Sequence, residues 1–284
     1  MLNFCTISTA SYLFKASALA DSIMPYNAIL HVLVIDKIPP LDYPANIKIY
    51  QINDIRNEYL ERVLSKYGRD KDKLRWALKP IFLLYLLDKA ECVAYVDNDQ
   101  YFYSDPTFIF NMLNDSSIIL TPHHYQPIPS AEANWFEANF RVGLFNAGFI
   151  GASTKAKDAL DWWVKCCIYN IKKAYWRGLF DDQKYLDMMP VLFDNVKILK
   201  HPGCNLAGWN DYQLIDDLVF IHFAEITLSK FLKPEHSYHQ FAQTYIDTLK
   251  KYNPQYTFKK HTRFYEYATY VYFLRWKIAR MFES

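Results

Sequence analysis

The stretch CVAYVDNDQYFYSDP, residues 92–106, decides how the rest of this chain is read. Five β-forming apolar residues lead directly into Asp97 and Asp99, set either side of Asn98. A carboxylate buried without a partner is costly, so the pair needs a cation, a hydrogen-bond network or open water. At the end of a buried strand, alternate residues can aim into one cleft. Two carboxylates there are ready to hold a hard divalent ion that also bridges phosphate oxygens. The bland alternative is a capped strand end, with both aspartates bonded to the turn that follows. A second Asp-x-Asp, Asp70-Lys71-Asp72, lies inside the charged run YGRDKDK and reads as a solvated loop or helix end.

Working outward, the same strand type recurs. NFCTIS (3–8), AILHVLVID (28–36), NIKIYQI (46–52) and SIILT (117–121) are short apolar runs, and FNAGFIG (145–151) has glycines that allow close approach to the backbone. Helical spacing fills 11–23, 55–67, 77–88 and 154–172, with a further helix opened by Pro106. In 154–172, Leu160, Trp163, Cys167 and Ile171 share one face, which makes Trp163 a core residue rather than a sugar platform. The β-α-β alternation predicts a doubly wound sheet with helices on both faces. Ligands of such sheets sit beyond the carboxyl ends of the strands, where Asp36, Asp97 and Asp99 all fall. The segment 122–144 has little periodicity and is expected to be a functional loop or an element without a clear signal.

Composition narrows the function. With 284 residues, 51% hydrophobic and 22% charged, the chain can bury one large α/β core plus a small appendage, and disorder is not expected. A formal net charge of +2 argues against nucleic acid as a bulk electrostatic partner. The five cysteines, Cys5, Cys92, Cys166, Cys167 and Cys204, are odd in number and lack C-x-x-C spacing, so neither a disulfide framework nor a zinc ribbon is indicated. MLNFCTIST lacks the pattern of a secretory signal, and no run reaches the roughly 18 apolar residues of a membrane span. A cytoplasmic protein is expected. A haloacid-dehalogenase-like phosphatase also sets Asp-x-Asp after a strand, but it wants a small Thr or Val where Tyr101 stands. A nucleotidyltransferase needs a Gly-rich triphosphate loop, and TISTASYL (6–13) has no glycine.

The residues from 4 to about 225 resemble the nucleotide-sugar glycosyltransferases of the GT-A fold. The likeness is greatest to a bacterial polysaccharide-type group related to the retaining family of glycogenin and the lipopolysaccharide galactosyltransferases. It rests on FCTISTASYLFKASALADSI, LVID, RWALKP, YVDNDQYFYSDP, LTPHHYQPI, LFNAGFIGAS, LDWW, LFDDQKYLDMMP, HPGCNLAGWN and FIHFAE, in that order. The resemblance implies a GT-A, Rossmann-like mixed sheet flanked by helices. It implies Asp97, Asp99 and His222 as ligands of Mn²⁺ or Mg²⁺. Thr6, Ser8, Tyr12 and Asp36 would border base and ribose, Asn98 would touch the donor, and Arg75 and Lys79 would face the diphosphate or donor sugar. Asp182 would face the reactive sugar, with Asn146 and Gln183 aiding placement. The departure is at FIHFAE, where relatives carry a small residue and a glycine in place of Ala224 and Glu225. A carboxylate beside a diphosphate is unfavourable, so Lys230 is expected to supply the charge instead.

Other motifs stay open. Asp181 and Asp182 also suit an ordinary acidic helix N-terminus, and Arg75 and Lys79 a solvated basic face. His123 and His124 are adjacent and point opposite ways on an extended segment, so one is expected to hydrogen-bond donor or acceptor rather than join a second metal site. Asn205 and Trp209 suit sugar hydroxyls and a sugar face, or simply a structural loop. Should the reaction invert, Asp182, Glu225 or His123 could serve as base; retention is the expectation.

Residues 1–235 are expected to form the catalytic domain and 236–284 a helical, aromatic and basic C-terminal extension. Within the latter, 258–282 combine aromatic rings with Lys259, Lys260, Arg263, Arg275, Lys277 and Arg280. Such a helix can lie at an anionic membrane surface or pack on protein. The expected function is metal-dependent transfer from a nucleoside-diphosphate sugar, UDP first, to a glycan or lipid-linked glycan of a bacterial surface polysaccharide. The alternative is a catalytically silent subunit that binds nucleotide sugar or glycan.

Overall fold

Ser8, at the end of the first strand, sits level with Val34 of the next, because the two strands pair in parallel from Leu2↔Ala28 to Ser8↔Val34. That register brings the strand ends to a common edge, and the rest of the fold is arranged around it. The structure is a computed structural model that describes residues 1–39, 42–130, 132–212, 216–259 and 278. In chain order the strands are β1 (Leu2–Ser8), β2 (Ala28–Val34), β3 (Ile47–Gln51), β4 (Cys92–Val96), β5 (Gln100–Phe102), β6 (Ile118–Pro122), β7 (Phe145–Ser153), β8 (Val196–Ile198) and β9 (Phe220–His222). The helices are α1 (Leu13–Ile23), α2 (Leu60–Tyr67), α3 (Lys71–Leu87), α4 (Thr107–Leu113), α5 (Ala133–Arg141), α6 (Lys157–Tyr169), α7 (Met189–Leu192), α8 (Glu225–Phe231) and α9 (His239–Tyr252).

Seven strands form one sheet in the order β3-β2-β1-β4-β7-β6-β8. Every neighbouring pair is parallel except those of β7, which runs against both β4 and β6. The mixed α/β architecture expected from the sequence is the one observed. Strand alternation sends successive side chains to two cores. Cys5, Ile7, Val93, Tyr95, Ile118 and Leu120 face α2, α3 and α6, while Phe4, Ala94, Val96 and Ile119 face α1 and α4. Both faces are covered, which is why these strands read as continuous apolar runs. Trp163 of α6 is fully buried in the first core, as its helical spacing predicts.

The segment 122–144, without clear periodicity in the sequence, contains α5, of whose residues only Ala138 is fully covered. A helix this exposed has little apolar pattern to read. β5 and β9 form a separate antiparallel pair, Gln100↔His222 to Phe102↔Phe220. That pairing carries a residue from late in the chain to the end of β4.

The chain divides into two compact units, Met1–Pro254 and Gln255–Ser284. The division expected after residue 235 therefore falls inside the first unit. Helix α9 lies within it because Ala242, Tyr245 and Leu249, at helical spacing, are fully buried, and Lys251 and Tyr252 both hold Asp21 of α1. Most of the aromatic and basic segment 258–282 lies outside the described residues. Among the described residues no helix is long and apolar enough to cross a membrane.

Candidate active site

The turn between β4 and β5 carries Asp97, Asn98 and Asp99 on the edge where the parallel strands end. Asp97 is fixed at three points: its amide donates to the Gly148 carbonyl (2.8 Å), and its Oδ1 accepts from the Tyr95 hydroxyl (2.8 Å) and lies 3.6 Å from Lys79 Nζ. Tyr95 and Asp97 meet because residues two apart on a strand share a face. Burial and Asp97 push the Tyr95 phenol well up, so it remains a donor. Asn98 donates to Ser8 Oγ (3.1 Å), tying the turn to the end of β1.

The β5–β9 pairing places His222 beside Asp99, Nε2 to Oδ1 3.2 Å. One potential ligand atom from each of Asp97, Asp99 and His222 lies within 4.8 Å of the others. Burial works against charge on the His222 ring, but Asp99 outweighs it and raises the pKa. Burial likewise opposes the Asp99 carboxylate, and His222 in turn holds it well below the ordinary range. His222 Nδ1 is buried and has no hydrogen-bond partner among the described residues. A Cβ added at Gly148 would sit 2.5 Å from Asn146 Oδ1, 2.7 Å from His222 Cε1 and 3.0 Å from Asp97 Oδ2. The bare backbone of Gly148 thus keeps open the space onto which these three side chains converge. Two carboxylates and an imidazole, one ring nitrogen unpaired, fit a divalent ion.

Behind this trio is a buried ion pair. Lys79, 3% exposed, lies 3.2 Å from Asp182 Oδ2 and donates to the Ala147 carbonyl (3.0 Å). One cation faces Asp97, Asp181 and Asp182. Burial opposes the ammonium, yet Asp182 and Asp97 outweigh it and raise its pKa. Burial pushes the Asp182 carboxyl up to about 7, with Asp181 and Asp97 adding to the rise against Lys79. Helix α3 delivers Lys79 immediately before Pro80, which sits inside the helix and lacks an amide to donate.

Asp182 is held by backbone as well: Trp163 Nε1 donates to its carbonyl (2.9 Å). Asp181 adopts a left-handed φ of 41° and accepts from the Gln183 amide. Gln183 Oε1 accepts from the Ala147 amide (3.3 Å), so Lys79 and Gln183 grip one peptide segment. Asn146 accepts from the Gly148 amide (2.7 Å).

The remaining expected residues divide. His123 is buried and stacked on Tyr125 (4.5 Å between ring centres), which stacks on Trp135 (5.5 Å). Burial pulls the His123 pKa down to about 3. Trp209 meets the His222 ring edge-on (5.4 Å) and donates to the His123 carbonyl (3.1 Å), so it ties the two segments together. His124 and Asn205 adopt left-handed backbones, and Asn205 is fully buried. Thr6 is fully buried on β1 and Tyr12 is 43% exposed at the start of α1. Others are committed elsewhere. Asp36 accepts from the Ala10 amide and pairs with Lys71, and Lys230 pairs with Asp211, which also meets His236. Arg75 bonds Asp72, but its charge also faces Asp97 and its Nε is buried with no hydrogen-bond partner among the described residues. Sequence reasoning did not single out Tyr95, Gly148 or Trp163 for this site. Strand alternation about Asp97 could have found Tyr95; nothing local marks Trp163 as a donor to Asp182.

Among curated proteins, the uncharacterised protein YfnF of Bacillus subtilis (strain 168) is 32% identical over 245 residues, covering 78% of this chain and 80% of YfnF. The chain belongs to the YfnF family. YfnD of the same strain, also uncharacterised, is 29% identical over 254 residues, covering 80% of this chain and 78% of its own. No family model matches. In solved structures, this YfnF-family chain is similar to the galactosyltransferase LgtC in complex with donor and acceptor sugar analogs. That likeness has a TM-score of 0.53 at 12% identity over 88% of this chain and 96% of the other. It is similar also to mouse xyloside xylosyltransferase 1, TM-score 0.51 at 13% identity over 80% and 98%. The glycosyltransferase GlyE of Streptococcus pneumoniae TIGR4 gives a TM-score of 0.52 at 13% identity over 89% and 63%. At these identities the likeness is one of fold, and the YfnF-family fold is that of the GT-A glycosyltransferases.

Proposed function

We propose that this YfnF-family chain is a metal-dependent glycosyltransferase. It would move a sugar from a nucleoside diphosphate, UDP foremost, to a glycan or lipid-linked glycan of a bacterial surface polysaccharide. The observation that carries the reading is the convergence of Asp97, Asp99 and His222 on one point, beside the buried Lys79–Asp182 pair, in a fold shared with glycosyltransferases. That the LgtC structure holds donor and acceptor analogs together supports a site built for two sugars.

Asp97, Asp99 and His222 would hold Mn²⁺ or Mg²⁺. When bound, such an ion stabilises negative charge on the leaving diphosphate. Asp182 would stabilise positive charge growing on the sugar ring, as carboxylates do in glycosidases. Lys79 holds Asp182 in place, Asn146 borders the space at Gly148, and Gln183 accepts from the neighbouring Ala147 amide. His123 and Trp209 would line the acceptor side, and the reaction would retain configuration. The basic, aromatic composition of 258–282 supports contact with an anionic membrane surface, where a lipid-linked acceptor resides.

The test is calorimetric titration with UDP-, GDP-, CDP- and dTDP-sugars, with and without Mn²⁺, beside an Asp97→Ala/Asp99→Ala variant. Metal-dependent binding of one nucleotide, lost in the variant and followed by turnover with an acceptor, is expected. If wild type binds no nucleotide with metal present, the reading is wrong. Binding without turnover on any glycan would transfer support to a silent binding subunit.

A further inference from the structure

We infer that Tyr95 sets which divalent ion the cleft accepts, by leaving Asp97 a single oxygen with which to bind it. This rests on the metal-dependent reading above and adds to it a positioning residue and a basis for choosing among ions.

The backbone of Asp97 is fixed on both sides. Its amide donates to the Gly148 carbonyl (2.8 Å), and its own carbonyl accepts from the Gln100 amide (3.1 Å). What those bonds leave free is rotation of the carboxylate about its side-chain bonds. The two carboxylate oxygens meet different surroundings. Oδ2 faces the open space of the cleft: it and the His222 ring both come within 3.0 Å of the point where a Cβ on Gly148 would stand. Oδ1 is turned to the protein and accepts from the Tyr95 hydroxyl (2.8 Å).

Lys79 Nζ stands 3.6 Å from the same Oδ1, but it is nearer the Ala147 carbonyl (3.0 Å) and Asp182 (3.2 Å). The Tyr95 hydroxyl is therefore the short contact that fixes the rotation. Tyr95 is itself held, since it is fully buried and the Lys79 ammonium lies 5.1 Å from the centre of its ring. A carboxylate with one oxygen so engaged coordinates an ion through the other alone. That suits small octahedral ions such as Mg²⁺ and Mn²⁺. Ca²⁺ is larger, takes more oxygens and readily uses both oxygens of one carboxylate. Without the hydroxyl, Asp97 is free to turn and present both. Hydrogen-bond partners of metal ligands are commonly worth about 10–100-fold in metal affinity.

The experiment titrates Mn²⁺, and Ca²⁺ both directly and in competition with Mn²⁺, into metal-free wild type, Tyr95→Phe and Tyr67→Phe by calorimetry. Tyr95→Phe keeps the buried ring and removes only the hydroxyl. Tyr67→Phe is the control: it removes another buried hydroxyl, one that donates to the Cys167 carbonyl (2.8 Å) between α2 and α6. In Tyr95→Phe, Mn²⁺ is expected to bind about tenfold more weakly. Ca²⁺ should bind that variant at least as tightly as wild type, so the preference for Mn²⁺ falls by about tenfold or more. Tyr67→Phe should keep the wild-type preference. Parallel losses for both ions in Tyr95→Phe, an unchanged preference, or the same shift in Tyr67→Phe would each overturn the assignment. Failure of wild type to bind either ion would overturn the metal-dependent reading, and this inference with it, in a way no variant result imitates.

Discussion

Lys79 is the residue on which the electrostatics of this site turn. It is buried, and it is the near cation for both Asp97 and Asp182. Removing one member of a buried ion pair strands the other charge, which typically costs about 3–5 kcal/mol. Lys79→Met should therefore lower unfolding stability by about that much at pH 7.5, measured by urea denaturation. Adding Asp182→Asn to the same chain should restore more than half of the loss, since the buried side chain, left without its cation, then has neither to hold a charge nor to take up a proton. A double variant no more stable than the single one would show that Lys79 answers mainly to Asp97.

At the scale of elements, the site depends on a pairing only three residues long. β9 brings His222 to Asp99 and is anchored by Phe220, which is fully buried against Phe102 (4.8 Å between ring centres) and Phe149 (5.2 Å). Deleting a buried aromatic ring costs about 3–5 kcal/mol. Phe220→Ala should show that loss in denaturant and should also weaken Mn²⁺ binding, because His222 loses its support. A stability loss with unchanged Mn²⁺ affinity would mean that His222 is positioned by the Leu206 carbonyl and the Trp209 ring instead. Helix α3 shows the opposite arrangement. A proline inside a helix costs about 3 kcal/mol, yet α3 runs through Pro80, where it delivers Lys79.

For the whole molecule, acid stability reports a buried histidine far from the cleft. His31 is 9% exposed on β2, between the Tyr50 hydroxyl (2.9 Å from Nδ1) and Asn3 Oδ1 (3.3 Å from Nε2). The amide oxygen can only accept, so Nε2 carries the proton and Nδ1 accepts from the phenol. Burial, helped by Lys48 and Lys89, pulls the pKa down from its ordinary 6.5 to about 4. Below pH 6.5 the unfolded chain takes up a proton that the folded ring refuses. This contribution is thus fully present above pH 6.5, is lost as pH falls to about 4, and changes no further below. It amounts to about 3 kcal/mol. Unfolding curves at pH 7 and pH 4 should differ by about that much more in wild type than in His31→Gln; equal pH dependence would show that the ring is already protonated in the fold.

The sequence by itself determined six of the seven strands of the main sheet, their alternation with helices, and the strand-end position of Asp97 and Asp99. All of these are written locally: a strand covered on both faces must be apolar throughout, and the first polar residues mark its end. The burial of Trp163 was legible for the same reason, from helical spacing. What only the tertiary structure decided is who meets whom. Trp163 also holds the Asp182 carbonyl, Lys230 is taken by Asp211, and α9 joins the first unit through α1. His222 reaches Asp99 through a strand pair separated by more than a hundred residues. Such pairings depend on how far the chain has turned back on itself, and no local pattern of hydrophobicity or charge encodes that distance.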